Sequence, residues 1–510
     1  MLVSGGSARD PGRARPGSYE RGQVRRGAAA LARYNPWYGR LPGVPSDHVT
    51  LTAAPPLAGD AAAGPAAGGL LSPRYRWASI GVVLVITLAA LEGMSVATVM
   101  PTAARELDGL GLYAWGFTAF LVASLVGTVD AGARCDRGRV VRAFLLGLGA
   151  FAAGCVVAGS APTMPVFILG RAIQGYGAGA LTVVVYVLTA RRFREDQRPA
   201  VLGLLAAAWV IPALVGPTVA GAVTQTVGWR WVFIGLLPFV LLVLVLLVPT
   251  LRTLPGLDAA PRRGPALLGN AVLLAVGVAI VQAGATWSSW YGVAAMLAGL
   301  AVMALPLRRL LPAGALRLSA GLGATISTRG LLAGSFLGAE AYLPLTLTAV
   351  HHQSPARSGL PLTFAALSWA SASWLQGRRW QSVSRGRLTA IGFTILAAGL
   401  AILALVALAS VPVWVAVLAW LVAGAGMGLA MPSISVATMA ASSEDEQGEN
   451  SAALQVSDSA GSVVTIAVGG ALVAAATNAG HGIGPAVLTV DVLMATLALV
   501  GLLAARRMRA

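Results

Sequence analysis

Lysine is absent from this chain of 510 residues, cysteine occurs twice and histidine four times, and charged side chains of all kinds make up only 11%. Each scarcity closes off a class of function. Without lysine there is no glycine-rich nucleotide loop ending in a phosphate-binding lysine, so ATP-driven pumping by that device is excluded. Cys135 and Cys155 fall in a predicted loop and a predicted span, which supports neither a disulfide framework nor a metal site. So few charges beside 57% hydrophobic residues fall far outside the composition of soluble globular chains. Long loops are missing too, and with them the extramembrane catalytic loop or His-rich helices that a membrane-embedded enzyme or receptor reading would want. The chain is not expected to be an enzyme, and no cofactor or metal is expected.

What is present is apolar length. Between Trp77 and Ala505 runs of about 20 residues alternate with short arginine-bearing loops, each run long enough to cross a roughly 30 Å hydrocarbon layer as a helix. Hydrocarbon offers backbone amides and carbonyls no water, so such runs must close their hydrogen bonds internally. The fold class is therefore all-α, a polytopic membrane protein embedded in a lipid bilayer. About fourteen spans are expected, near 78–101, 112–133, 141–160, 164–189, 200–225, 230–250, 266–284, 290–310, 328–350, 358–376, 388–409, 412–433, 452–475 and 486–505.

The net charge of +17 raises nucleic-acid binding, but the arginines sit at span ends and form no basic domain, so no nucleic-acid partner is expected. With the N-terminus inside, the inward segments from Arg74 onward carry 24 arginines and the outward loops three, Arg105, Arg230 and Arg357, with Arg171 within a span. This asymmetry predicts a multi-pass protein of the cell membrane with both termini cytoplasmic. The inner loop Ser442 to Asn450 departs from it, holding Glu444, Asp445, Glu446 and Glu449 and no arginine. Residues 1–75, rich in Gly, Ala, Pro and Arg, read as a disordered cytoplasmic tail without the apolar core of a signal peptide. Glycines stud many spans, where they let helix backbones approach closely.

Four stretches carry specific patterns. The first span holds Leu91-Glu92-Gly93-Met94 running to Pro101. Spans two and three are joined by Gly132, Asp136, Arg137, Gly138 and Arg139. The fourth span holds Arg171, Gln174, Gly175 and Gly177. On the fifth, Gly203, Pro212, Gly216-Pro217 and Ala220-Gly221 are separated by eight, three and two residues. Together these resemble the motifs of the major facilitator superfamily, in particular its fourteen-span drug:proton antiporters, over roughly residues 75–505. The chain departs from them at Glu92, where the family has aspartate, at Pro212 and Ala220, where it has glycine, and by one residue fewer between Arg137 and Gly138. The resemblance implies two six-helix halves, 76–250 and 326–510, with two linking helices in 251–325. It implies a transporter that exchanges protons for small molecules, with Arg171 involved in coupling and the inner-loop motif latching helix ends. A second latch would fall at Ser373 to Arg387, which lacks the aspartate.

The residues support this independently. An ionised side chain at bilayer depth costs from about 2.5 to more than 10 kcal/mol, so those found there usually serve an internal cavity. Glu92 and Arg171 are the expected coupling pair, and Glu340, Asp458 and Gln174 are expected to add polar groups to the cavity. A buried carboxylate whose arginine partner comes and goes is a proton switch, since desolvation favours its neutral form and the cation its charged form. Asp130 and Asp491 lie towards span ends and are expected at the interface, and His351 and His352 as a solvated pair. Trp115, Tyr176, Tyr342, Trp369 and Trp374 are candidates for stacking on flat or cationic substrates. The expected function is proton-in, hydrophobic-or-cationic-compound-out exchange by a monomer. The same residues leave open a facilitator or importer of a specific metabolite.

Overall fold

The computed structural model describes residues 69–508 apart from 74, 195–196, 255–264, 286, 288–289, 381, 443–446 and 481. The expected tail through residue 68 and the acidic residues 444–446 lie outside the described residues.

Every regular element described is helical. The first set comprises α1 (Arg76–Glu106), α2 (Trp115–Asp136), α3 (Val140–Gly159), α4 (Met164–Arg192), α5 (Arg198–Ala207), α6 (Val210–Thr226), α7 (Arg230–Ile234) and α8 (Leu237–Arg252). Then come α9 (Pro265–Ala285) and α10 (Trp290–Leu310), which pack on each other. The second set comprises α11 (Leu322–Glu340), α12 (Leu343–Ala349), α13 (Pro355–Arg379), α14 (Arg385–Val406), α15 (Trp414–Ala440), α16 (Gln447–Asn478) and α17 (Ile483–Ala505). Three expected spans are broken. The fifth divides into α5 and α6, the sixth into α7 and α8, and the ninth into α11 and α12.

Among the described residues twelve spans are long and apolar enough to cross a membrane. The other two expected spans correspond to α9, whose described apolar stretch is Leu268–Gly284, and to α13. α13 has the length, at 25 residues, but carries Ser358, Thr363, Ser368, Ser371, Ser373 and Gln376. A polar helix of that length is sheltered by its neighbours, and α13 lies between α6 and α15. Fourteen is thus the count by position and twelve the count by apolarity.

Glycine spacing sets how closely helices cross. Where α2 meets α4, a Cβ on Gly179 would lie 1.9 Å from the carbonyl oxygen of Ser124, so nothing larger than glycine fits that crossing.

The two sets meet most fully at one end, that of the α1–α2 loop. One buried apolar cluster there joins Val99, Met100, Tyr113 and Phe167 of the first set to Tyr342, Leu345 and Leu347 of the second. The buried cluster near the other end of the first set, from Tyr75 to Leu251, contains no residue of the second. The bundle is therefore shut at the α1–α2 end.

Candidate functional site

Arg171 lies two turns inside α4 and is 2% exposed, as is Glu92 on α1. Its Nη1 donates to Glu92 Oε1 and to Oε1 of Gln174, one turn further along α4. Its Nε donates to the carbonyl of Gly116, at the start of α2, at 3.0 Å. The guanidinium carbon stands 4.4 Å from the Phe120 ring centre, and Phe233 of α7 lies beyond at 5.9 Å. Gln174 in turn donates to Cys155 Sγ on α3 at 3.2 Å. Five helices thus surround one ion pair sealed from water and satisfied by fixed acceptors, the condition under which paired charges persist in a low dielectric. Glu92 Oε2 accepts no hydrogen bond among the described residues. Gln174 is fully buried between α3 and α4, where the close crossing at Gly154 covers it and its Oε1 accepts from Arg171.

A second ion pair joins α11 to α16. Arg329 Nη2 donates to Asp458 Oδ2 at 3.3 Å, and Nη1 faces Ser435 Oγ of α15 at 3.4 Å. Arg329 stands at the inner margin of the expected span 328–350. In the structure it is a buried partner on α11, which begins at Leu322, earlier than the expected span. The signal available was the i+7 and i+11 spacing of Phe336 and Glu340 from Arg329, which puts all three on one helix face.

On that face Phe336 stacks on Trp420 with ring centres 4.8 Å apart and meets half-buried Trp369 edge-on at 5.7 Å. Glu340, the last residue of α11, is half-buried, and no group among the described residues hydrogen-bonds its carboxylate. One stripe therefore presents an ion pair, an aromatic wall and a free carboxyl in succession.

The remaining candidates are dispersed. Tyr176 donates to Asp130, which also accepts from Arg134 Nε at 2.9 Å, so Asp130 belongs to an α2–α4 cluster and is not at a free interface. Asp491, expected at an interface, is 2% exposed, because α17 turns that face onto α14 and α11. Tyr342 is fully buried at the junction of the two sets, where Tyr113 Oη donates to the Ala341 carbonyl at 2.7 Å. Trp115 is half-buried, and exposed Trp374 carries Arg378 over its ring at 4.5 Å. His351 is tied to the Val406 carbonyl at 2.6 Å and so is not part of a solvated pair.

In the inner-loop motif, α2 ends at Asp136 and Gly138 turns the chain at φ +73°. Asp136 makes no hydrogen bond or ion pair among the described residues, and Arg137 and Arg139 are exposed. The helix ends are tied instead by Arg191, whose Nη2 donates to the Cys135 carbonyl at 3.0 Å. Gly132 and Gly203 have open space where a Cβ would stand.

The fifth-span residues on α6 lie between two other helices. Pro212 is buried, a Cβ on Gly216 would stand 3.2 Å from Met94 Cβ of α1, and Pro217 abuts Gly359 of α13. A Cβ on Gly221 would fall 2.4 Å from Cα of Ala356, also on α13. The motif is thus a contact surface between the two sets. Gly221→Val should leave the protein folded but lower transport by about tenfold or more, since overpacking typically costs 1–3 kcal/mol and falls here on the shut state alone. Vesicle uptake normalised to protein that is monodisperse in detergent measures it.

The family model for the Major Facilitator Superfamily matches residues 82–340, just over half of the chain. The chain belongs to the major facilitator superfamily. Relatives within the superfamily include a probable multidrug-efflux transporter of Mycobacterium tuberculosis, 27% identical over 75% of this chain and 84% of that protein. The transporter of the acurin A biosynthesis cluster of Aspergillus aculeatus is 30% identical over 61% of this chain, which spans about three fifths (59%) of that relative. A multidrug transporter of Bacillus subtilis is 24% identical over 77% and 74% of the two chains. Among solved structures, a peptide transporter bound to sulfate superposes with a TM-score of 0.63 at 15% identity, covering 85% of this chain and 96% of that one. A bacterial homolog of the lysosomal transporter Spinster gives 0.59 at 13%, covering 86% and 98%. Both likenesses concern the fold. As a superfamily member the chain is a multi-pass membrane transporter of small molecules, and its relatives are transporters, not enzymes.

Proposed function

We propose that this transporter is a proton-coupled exporter of small hydrophobic or cationic compounds, acting as a monomer in the cell membrane with both termini cytoplasmic. The two helix sets serve as six-helix halves, residues 76–250 and 326–510, that rock about the cavity between them, and 251–325 links them. By the arginine asymmetry the shut α1–α2 end faces outward.

The observation that carries this reading is the sealed Glu92–Arg171 pair. Glu92 Oε2 is the atom open to a proton. Protonation there neutralises the carboxyl and releases the guanidinium, which then needs another acceptor. A rearrangement of α1 against α4 supplies one, and α1 also rests on Gly216 of the inter-half surface. Proton uptake is thereby linked to the contact that holds the outer end shut. The efflux relatives agree with the export direction.

Efflux of a panel of lipophilic cations, dyes and antibiotics from a pump-deficient host tests the reading. Accumulation should fall when the protein is expressed and recover when a protonophore is added. A difference that survives the protonophore would make the chain a facilitator.

A further inference from the structure

The linking helices take no part in the ion pairs or the aromatic wall. Even so, α9 lies against both halves, touching α2 on one side and α16 on the other. Its Ala271, Leu274, Val278 and Val281 pack with Leu125, Val456 and Val463 in one apolar seam. The amide in that seam is Gln282, 1% exposed, whose Oε1 has no hydrogen-bond partner among the described residues. A buried amide oxygen left without a donor has given up its water for nothing, and such groups are rare in folded proteins.

Its surroundings give a reason. A Cβ built on Gly470 of α16 would stand 2.3 Å from Ala114 Cβ, 3.2 Å from Gln282 Nε2 and 3.3 Å from Tyr342 Oη. First half, second half and linking helix therefore converge on one glycine, and the amide and hydroxyl lie within about 6.5 Å of each other, the sum of those last two distances. Both neighbouring tyrosines are engaged in the shut state. Tyr342 Oη donates to the Ile466 carbonyl, and Tyr113 Oη donates to Ala341 O at 2.7 Å. Separation of the halves at this end withdraws Tyr113 and Ala114 from α11 and α16 and loosens the packing that holds Tyr342 in place.

We propose that Gln282 is a positioning residue for the transport cycle. Its amide is unsatisfied while the α1–α2 end is shut, and it is satisfied by the Tyr342 hydroxyl when that end opens. The linking helix thereby favours opening. This rests on the alternating-access reading above but not on proton coupling or on substrate class.

Spin labels on Ser160→Cys and Ser410→Cys, exposed positions beyond the ends of α3 and α14, report the separation of the halves at this end, since both native cysteines are buried. In the full chain in lipid nanodiscs, Gln282→Leu should lower the open population about fivefold or more, the effect of one buried hydrogen bond. Tyr342→Phe should do likewise, and the double variant should be no worse than either single one, because the two groups act as one pair. If the leucine variant does not purify as a monodisperse protein, Gln282→Met carries the same test. Unchanged distance distributions, or effects that add, overturn the proposal. A parent protein that never opens at this end overturns the alternating-access reading, and this proposal with it.

Discussion

Replacing Glu92 with glutamine should abolish uphill export while leaving downhill exchange intact. The substitution keeps the side chain's shape, and its amide oxygen can still accept from Arg171 Nη1, so the packing of α1 on α4 is preserved. What it removes is the capacity to gain and lose a proton. Each proton entering along the membrane potential contributes about 2.3 kcal/mol per 100 mV, enough to sustain a concentration ratio of more than tenfold. In proteoliposomes with an imposed pH gradient, that ratio should collapse to one in the variant, with the rate of gradient-free exchange retained. Unchanged uphill transport would remove Glu92 from the mechanism. Arg171→Leu is the poorer probe, because breaking a buried pair from one side costs about 3–5 kcal/mol and reads out as lost protein before it reads out as lost coupling.

Glutamine at position 340 should separate cationic from neutral substrates. Glu340 has no protein partner among the described residues, whereas Glu92 is held by Arg171 and Asp458 by Arg329. A carboxylate left alone at bilayer depth must be neutralised, either by a proton or by a cation brought to it. Half-buried Trp369, edge-on to the buried Phe336 that lies one turn from Glu340, offers an aromatic surface to a flat apolar body. Binding of a lipophilic monocation to Glu340→Gln should weaken about ten- to a hundredfold, the loss of one charge-assisted contact of 1.5–3 kcal/mol. Binding of a neutral hydrophobic substrate should be unchanged. Equal losses for both would mark Glu340 as a residue of the gate and not of recognition.

Much of the fold was legible in the chain because each span must satisfy its own backbone in hydrocarbon, which makes span position a local property of roughly 20 residues. The exceptions are instructive. α13 is polar and packs between α6 and α15, and of the three broken spans the ninth has its interruption, Ala341 and Tyr342, buried by other helices. Glu92 and Arg171 could be singled out early because a charge within an apolar run stands out whatever it touches. Asp491 was misplaced for the complementary reason. It lies near the margin of its run, where hydropathy does not distinguish a group at the lipid surface from one turned into the bundle.

By itself the amino-acid sequence determined that this chain lies in a membrane as helices, roughly where its spans fall, that Glu92 and Arg171 stand within apolar runs, and where small residues permit close crossings. Only the tertiary structure decided that Glu92 meets Arg171 across 79 positions and Asp458 meets Arg329 across 129. It also left Glu340 without a partner among the described residues and brought Ala114, Tyr342 and Gln282 together around Gly470. Hydrocarbon imposes the same demand on every segment separately, whereas the choice of partner depends on which faces of distant helices come together, and no single segment encodes that.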